Sequence, residues 1–365
     1  MSRAFNFSAG PAVLPVEVLE ATKQAVYDFN GLGMSIMEMS HRSKEYEAVI
    51  KEAQADCLKL MNLSPDEYAV LFLGGGASMQ FYMIPFNFLR TKANYINTGV
   101  WAGKAVKEAD KVGGETKIIA SSKDKNFNYI PKDYKVDDDA DYLHITTNNT
   151  IYGTAWSKDV ENVKIPVIAD MSSDIFAVRR NFSKYDMIYG GAQKNIGPAG
   201  ATFVVLKKSF IENNQRKLDK FPSMLDYKIH IANDSMFNTP PCLPIYVISQ
   251  TFKWLLKNGL ENVEKNNIKK ANVLYDFMDA SNGFYTPTVP AKEDRSLMNI
   301  TFLIKGGNPE LEEKFVKEAR AKYNMTNLKG HRDVGGLRAS IYNACPIEWV
   351  EALTKFMDEF MKENK

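Results

Sequence analysis

This 365-residue chain has few cysteines, few histidines and a small net charge, and each of these properties argues against a class of protein. The three cysteines lie far apart without CxxC spacing, which argues against a disulfide framework or a zinc site and favours a reducing compartment. The four histidines form no HExxH or HxxxH pair, so we predict no metal. With 46 basic and 44 acidic residues, the net charge of +2 offers no overall field for nucleic acid or an anionic membrane.

Long apolar runs are also missing. No stretch approaches the roughly 20 apolar residues that a membrane span needs, and the opening residues MSRAFNFSAGPA lack the apolar region and cleavage pattern of a signal peptide. A cytoplasmic protein is therefore expected. The length suits a large domain and a smaller one. We predict these at 15–255 and 256–365, with the N-terminal segment 1–14 packing on the smaller domain.

Short apolar runs alternate with helical patterns through most of the chain. Buried strands are predicted at 68–73, 94–97, 116–120, 141–146, 166–169, 186–189 and 201–206. This alternation predicts an α/β fold with a mostly parallel sheet. The last two runs are separated only by a glycine-rich loop, too short for a helical crossover, so one antiparallel strand is predicted.

Helical patterns frame this sheet and continue beyond it. Amphipathic helices are predicted at 15–29, with Val16, Leu19, Val26 and Phe29 on one face, and at 43–61. Residues 64–67 have capping-box spacing for another helix start. The last third of the chain predicts a smaller α+β domain, with helices at 245–257, 260–280, 309–323 and from Pro346, and strands at 297–304 and 337–342.

A glycine triplet follows the first predicted strand and is itself followed by Ala77 and Ser78, before a helical pattern that starts near Met79. Free backbone N–H groups at a helix N-terminus suit a phosphate group. The segment is neither a Walker A loop nor a GxGxxG fingerprint. A tight turn that needs glycine for steric reasons alone is an equal alternative.

Asp170 and Lys194 follow two later strands. Asp170 ends a strongly apolar strand, where it would either hold the protonated ring nitrogen of a pyridinium cofactor or cap the next helix. Lys194 lies in a loop of small residues, where it is either a desolvated nucleophile or an ordinary exposed lysine. A phosphate turn, a strand-end aspartate and a loop lysine are together the parts that bind and polarise pyridoxal phosphate.

Two His-Arg pairs, His41-Arg42 and His331-Arg332, and Arg338 beside an apolar segment suggest anion recognition. A guanidinium group binds carboxylate or phosphate through two parallel N–H groups. Surface ion pairs are the alternative for each arginine.

Two further features suit either a site or the scaffold. Trp101 would stack on a ring or pack in the core. Residues 238–241, Asn-Thr-Pro-Pro, form either a rigid polar turn or a linker between domains.

Together these segments resemble the phosphoserine aminotransferase family, of the class V, fold-type I pyridoxal-phosphate enzymes. The resemblance covers essentially the whole chain, through residues 7–11, 41–43, 74–77, 170–173, 191–200, 238–241 and 330–343. It implies a large domain with a mostly parallel sheet and one antiparallel strand, and a smaller α+β C-terminal domain.

The resemblance also implies a role for each matched residue. Lys194 would bond covalently to the pyridoxal phosphate, Asp170 would pair with its ring nitrogen, and Trp101 would stack on its ring. Further cofactor contacts would come from Gly76, Ala77, Ser78, Thr150 and Gln193, and from Asn238 and Thr239 of the partner subunit.

The implied reaction is a ping-pong transfer of the amino group between L-glutamate and 3-phosphohydroxypyruvate, which gives O-phospho-L-serine and 2-oxoglutarate. Arg338 would bind the α-carboxylate of either substrate. The distal anionic group would be bound by His331 and Arg332, and by His41 and Arg42 of the partner subunit. Such a shared site implies a homodimer, and 4-phosphohydroxy-L-threonine is a further candidate substrate.

Other functions remain as alternatives from the residues alone. Another class V enzyme, such as serine–glyoxylate aminotransferase or cysteine desulfurase, would share the fold. A nicotinamide-dependent oxidoreductase would be built on the glycine triplet and would need no reactive lysine. A catalytically silent cofactor-binding protein would bind pyridoxal phosphate without exchanging amino groups.

Overall fold

The computed structural model describes residues 3–332 and 334–364. Asp333, within the segment 330–343 that carries part of the resemblance, lies outside the described residues, as do residues 1 and 2 of the N-terminal segment and residue 365 of the predicted smaller domain.

The strands that the structure describes are short and are distributed over the whole chain. In chain order they are β1 (Phe5–Asn6), β2 (Tyr68–Leu73), β3 (Lys92–Asn97), β4 (Glu115–Ser121), β5 (Leu143–Thr146), β6 (Asn148–Asn149), β7 (Thr154–Ala155), β8 (Val167–Asp170), β9 (Met187–Gly191), β10 (Thr202–Lys207), β11 (Tyr285–Pro287), β12 (Asn299–Ile304), β13 (Met325–Thr326) and β14 (Leu337–Ser340).

The α-helices lie between these strands and at the end of the chain. They are α1 (Val16–Tyr27), α2 (Lys44–Met61), α3 (Gly76–Phe88), α4 (Val100–Asp110), α5 (Lys208–Asn214), α6 (Tyr227–Ala232), α7 (Cys242–Asn258), α8 (Leu260–Asp279), α9 (Pro309–Tyr323) and α10 (Ile347–Glu363).

Seven strands form the main sheet, in the order β2-β10-β9-β8-β5-β3-β4. Strand β10 runs antiparallel to both β2 and β9, whereas the pairs from β9 to β4 are parallel. The predicted α/β fold with one antiparallel strand is therefore confirmed. The carboxyl ends of the parallel strands form one edge of the sheet, which is where such folds bind their ligands.

The C-terminal part of the chain forms a second sheet, β11-β12-β14, which packs with α8, α9 and α10. Its core also contains Phe7 and Val13 from the N-terminal segment, because β1 pairs with β13. The predicted division at residue 255 falls inside α7, which continues to Asn258. The exact domain boundaries remain a prediction.

Two local predictions are wrong. Residues 64–67 do not start a helix: the Ser64 hydroxyl accepts the N–H of Asp66 in a turn that leads directly into β2. The apolar residues from Tyr68 pair with β10, and this tertiary pairing prevails over the capping pattern.

The apolar face predicted for α1 is also exposed over most of its length, although Phe29, just beyond the helix, is buried as predicted. Val18 and Ala25 are buried, whereas Val16 is 55% exposed and Leu19 and Val26 are more than one-third exposed. The spacing correctly marks an apolar face, but it does not indicate what covers that face. By contrast, α2 begins after the N-cap Ser43 as predicted and buries its apolar face.

Two negative findings apply to residues 3–332 and 334–364. No three histidine, cysteine, aspartate or glutamate side chains there are grouped so as to hold a metal ion. No helix in these ranges has the length and apolar character to cross a bilayer.

Candidate active site

Lys194 lies in the turn that joins β9 to the antiparallel β10, at the ligand-binding edge of the sheet. Its ammonium group donates a hydrogen bond to Thr150 Oγ1 at 2.8 Å. The same nitrogen lies 5.6 Å from the centroid of the Trp101 ring. Lys194 is therefore not an exposed loop lysine, and two residues predicted for the site stand beside it.

Burial lowers the pKa of Lys194 to about 8. The charges of Asp170 and Asp174 oppose this shift, and Arg338 adds to it. An amine with such a pKa is partly neutral near physiological pH, so it can act as a nucleophile or a base.

Asp170 ends β8 and is almost completely buried. Its carboxylate accepts hydrogen bonds from the Ser172 backbone N–H at 2.9 Å and from the Ser172 hydroxyl at 2.6 Å. Burial raises the pKa of Asp170, while the charge of Lys194 and the bonds from Ser172 oppose the rise. The segment that follows is a turn, so capping of a helix does not explain this aspartate.

Arg338 reaches the same cluster from β14. Its Nη1 donates to the Thr150 carbonyl oxygen at 3.0 Å, and burial lowers the pKa of the guanidinium. Its Nε is buried without a hydrogen-bond partner among the described residues. A guanidinium that retains an unpaired buried donor is suited to a bound anion.

The glycine turn after β2 leads into α3 earlier than predicted, at Gly76 instead of near Met79. Gly75 is the N-cap, with a φ of 83°, and it provides no side-chain acceptor. A Cβ there would lie 2.6 Å from the Cβ of Met79, so the turn needs glycine for steric reasons. The N–H groups of Gly76, Ala77 and Ser78 lack acceptors within the helix, so the steric explanation leaves room for a phosphate site there, which stays a prediction.

The N-terminal segment crosses the Lys194 turn, which the sequence interpretation missed. The Ala12 N–H donates to the Gln193 carbonyl oxygen at 2.9 Å. A Cβ on Gly10, whose φ is 143°, would lie 3.2 Å from Lys194 Cγ. Residues 7–11 contribute to the family resemblance, yet their composition gave no chemical reason to assign them to the site.

A buried polar network connects the strand region beside Thr150 to the C-terminal sheet. The Asn148 amide nitrogen donates to Ser173 Oγ and Asn299 Oδ1, both at 2.7 Å. The Asn299 amide nitrogen donates to the hydroxyls of Ser340 at 2.9 Å and Tyr342 at 3.1 Å. These residues fix the relative position of Thr150 and β14, and none of them was predicted from sequence.

The other predicted residues lie in three further loops. His41 and Arg42 precede α2, and Asn238 and Thr239 lie exposed before α7. His331 and Arg332 line a cavity of about 820 Å³ together with residues of α9.

Residues 4–353 match the family described as Aminotransferase class-V. A phosphoserine aminotransferase from Phocaeicola vulgatus is 53% identical over 358 residues, which are 98% of this chain and 98% of that protein. The structure is similar to phosphoserine aminotransferase from Bacillus circulans subsp. alkalophilus, with a TM-score of 0.94, 45% identity and coverage of 100% and 99% of the two chains.

A phosphoserine aminotransferase from Trichomonas vaginalis, described as bound to PLP, matches with a TM-score of 0.91 and 36% identity over 98% of this chain and 100% of that one. These matches span the full described site, from the N-terminal segment to β14. The chain therefore belongs to the pyridoxal-phosphate-dependent class V aminotransferases, in the phosphoserine aminotransferase family.

Proposed function

We propose that this protein transfers the amino group between L-glutamate and 3-phosphohydroxypyruvate, forming O-phospho-L-serine and 2-oxoglutarate. The observation that carries the proposal is the half-buried Lys194, whose pKa is lowered to about 8 and which lies between Trp101, Thr150 and the charges of Asp170 and Arg338. The extensive identity to phosphoserine aminotransferases supports this choice of substrates. The proposed site of action is the cytoplasm.

The residues present fit pyridoxal phosphate. Trp101 Nε1 and Arg338 Nε are buried donors without partners among the described residues, so the cluster retains polar groups for a ligand. The N-terminus of α3 provides backbone N–H groups for a phosphate, with Ser78 and Gln193 as further contacts. When bound, the cofactor supplies an electron sink that stabilises the negative charge left on the substrate Cα after proton removal.

Lys194 and Asp170 would carry the proton chemistry. Lys194 would hold the cofactor, and its Nζ in the neutral form would accept the proton from the substrate Cα. Asp170 would stay ionised when a cationic ring nitrogen faces it, because an opposite charge lowers the pKa that burial raises. Thr150 would orient Lys194 through the hydrogen bond to its hydroxyl.

Arg338 would bind the α-carboxylate. Because both substrates carry this group, the same arginine would serve both half-reactions. The distal phosphate or carboxylate would be bound by His331 and Arg332. His41 and Arg42 of the partner subunit would complete this anion site.

A homodimer is part of the proposal. The α1 side chains Val16, Leu19 and Val26 are exposed, and Tyr27 at the end of this helix is 86% exposed. Apolar groups clustered at a surface mark a place where another protein packs. Leu32, Met34 and Met37, between α1 and His41 in the sequence, are exposed as well.

The test is the visible absorption spectrum of the purified protein supplied with pyridoxal phosphate. The band of the cofactor bound to Lys194 is expected to bleach on adding L-glutamate and to return on adding 3-phosphohydroxypyruvate. Glyoxylate is the matched control: return of the band with glyoxylate but not with the phosphorylated keto acid would favour the serine–glyoxylate alternative. Absence of any band, together with binding of a nicotinamide dinucleotide, would contradict the whole proposal.

A further inference from the structure

Lys270 of α8 is completely buried in the C-terminal part of the molecule, although lysine is rarely buried. Its ammonium group donates three hydrogen bonds, to the carbonyl oxygens of Ile341 at 3.0 Å, Tyr342 at 2.7 Å and Cys345 at 3.2 Å. All three acceptors belong to the segment that follows β14. One side chain thereby fixes the course of five consecutive backbone residues, 341–345.

The cost of this arrangement makes a purely packing role a poor explanation. Burial lowers the pKa of Lys270 to about 8, which reflects the penalty of placing an ammonium group in the core. A methionine of similar length would fill the same volume without that penalty. What methionine cannot do is hold three carbonyl oxygens in one geometry.

The segment held by Lys270 reaches the candidate active site through Tyr342. The Tyr342 hydroxyl donates to the Ala9 carbonyl oxygen at 2.7 Å, in the N-terminal segment that crosses the Lys194 turn. The same hydroxyl accepts from Asn299, in the polar network beside Thr150. Tyr342 therefore joins two of the structures that surround Lys194.

The segment makes a second connection through Asn343. The Asn343 N–H donates to Asn195 Oδ1 at 2.9 Å, and Asn195 is the residue directly after Lys194. Asn267, one helical turn before Lys270, donates to Asn343 Oδ1 at 2.7 Å and to the Ala177 carbonyl oxygen at 2.8 Å. Two side chains of α8 thus anchor the segment that contacts the Lys194 turn.

We propose that Lys270, assisted by Asn267, is a positioning residue for the transamination: it holds residues 341–345 so that Tyr342 and Asn343 fix the Lys194 turn. The inference rests on the proposed function, because it concerns the same site. It assigns no contact between Lys270 and the substrate or cofactor. Its effect is transmitted through backbone carbonyls and the two side chains that touch the turn.

The experiment compares Lys270→Met with Lys269→Met in the holoenzyme. Lys269 is the neighbouring lysine on the same helix and is exposed, so its variant controls for the loss of one positive charge. Lys270→Met is expected to lower kcat, and the rate constant of each half-reaction, about tenfold, with a smaller change in KM. Small displacements of reacting groups reduce rates strongly. The pH midpoint of the cofactor absorption band is expected to shift in Lys270→Met and not in Lys269→Met.

The spectral midpoint separates positioning from simple loss of stability. A Lys270→Met protein that melts at a lower temperature but keeps the wild-type kcat and spectral midpoint would overturn the inference. If this variant does not fold, Asn267→Ala receives the same measurements. Wild-type kcat and midpoint in a folded Asn267→Ala protein would equally overturn it, and a reduced kcat with a shifted midpoint would support it.

The same data distinguish this inference from the proposed function. If the wild-type band bleaches with L-glutamate but does not return with 3-phosphohydroxypyruvate, the proposed substrate is wrong. The midpoints of wild type, Lys270→Met and Lys269→Met still report on the geometry of Lys194 in that case, because the spectrum needs only the bound cofactor.

Discussion

Lys270 is fully buried and Lys194 is half-buried, and burial lowers the pKa of each to about 8. Their hydrogen bonding differs. An ammonium group has three donors, and Lys270 uses all three on backbone carbonyls. Among the described residues, Lys194 donates one hydrogen bond, to Thr150. A lowered pKa alone therefore does not identify a reactive lysine, whereas unused donors facing a cluster of charged groups do.

The surroundings of the two lysines explain this difference. Lys270 projects from a regular helix onto a neighbouring backbone, so its partners are in fixed positions. Lys194 projects from a turn between antiparallel strands, toward the edge of the sheet where Asp170 ends β8 and Arg338 arrives from β14. One environment holds a segment in place, and the other leaves a nitrogen available for bonding.

Substitution of Lys194 is the strongest test of the difference between a reactive Lys194 and a structural Lys270. Lys194→Ala is expected to reduce amino-group transfer by at least about a thousandfold, since it removes both the nucleophile and the proton carrier. Stopped-flow or coupled assays of both half-reactions, with cofactor content measured in the same samples, provide the measurement. Activity close to that of the wild type would show that another group performs this chemistry.

Arg338 is a second difference between the surroundings of the two lysines. Its charge lowers the pKa of Lys194, whereas no arginine contributes to the pKa of Lys270. Arg338→Ala is expected to raise KM for both substrates by roughly tenfold to a hundredfold, the usual loss for a charge-assisted pair. Arg338→Lys serves as the control that keeps charge but loses the planar geometry. A normal KM for L-glutamate in Arg338→Ala would contradict its role with the α-carboxylate.

The pH dependence of the free energy of unfolding tests the description of Lys270 as a buried amine. Its folded-state pKa of about 8 lies below the ordinary 10.5, with a small opposing effect from Cys345, so the unfolded chain binds more protons between these values. This lysine therefore makes the free energy of unfolding rise with pH from about 8 to 10.5, by at most about 1.4 kcal/mol per pH unit.

Denaturant titrations of the cofactor-free protein at several pH values measure that rise. Lys270→Met should lose this contribution relative to wild type, and Lys269→Met should retain it. Identical slopes for wild type and Lys270→Met would show that the buried amine does not titrate as described.

The smallest expected effect concerns the single acceptor of Lys194. Thr150→Val removes that acceptor and should lower the pKa of Lys194 in the cofactor-free protein by up to about one unit, because a bond that favours the charged form is lost. The pH dependence of the rate at which pyridoxal phosphate bonds to the protein reports this pKa. A Thr150→Ser control restores the hydroxyl and should return the value to that of the wild type.

Much of the fold was predictable from sequence because its strands are strong apolar runs. The strand predicted at 68–73 and the helix predicted at 309–323 have the observed bounds of β2 and α9. The loop between β9 and β10 excluded a helical crossover, and this identified the antiparallel strand. The errors occur where tertiary contacts prevail, as in the turn before β2, or where the fold leaves an apolar face exposed, as on α1.

The candidate site was predictable in part for a similar reason. Asp170 and Lys194 stand at strand ends, where side chains of chemical interest can be recognised from local sequence. The N-terminal segment, Tyr342 and Asn299 reach the site through contacts between distant parts of the chain, which no local pattern indicates. Lys270 is preceded in sequence by the exposed Lys269, and nothing in their spacing separates the buried lysine from its neighbour.

The parallel pairing of β1 with β13 has a consequence for synthesis on the ribosome. The Thr326 hydroxyl contacts the Phe5 carbonyl oxygen across 321 residues, so the segment that crosses the Lys194 turn is synthesised 321 residues before its strand partner. At typical elongation rates this interval lasts roughly a quarter of a minute to a minute. A nascent chain can form the main sheet during that time, but the segment that covers the lysine turn acquires its strand partner only after β13 has been made.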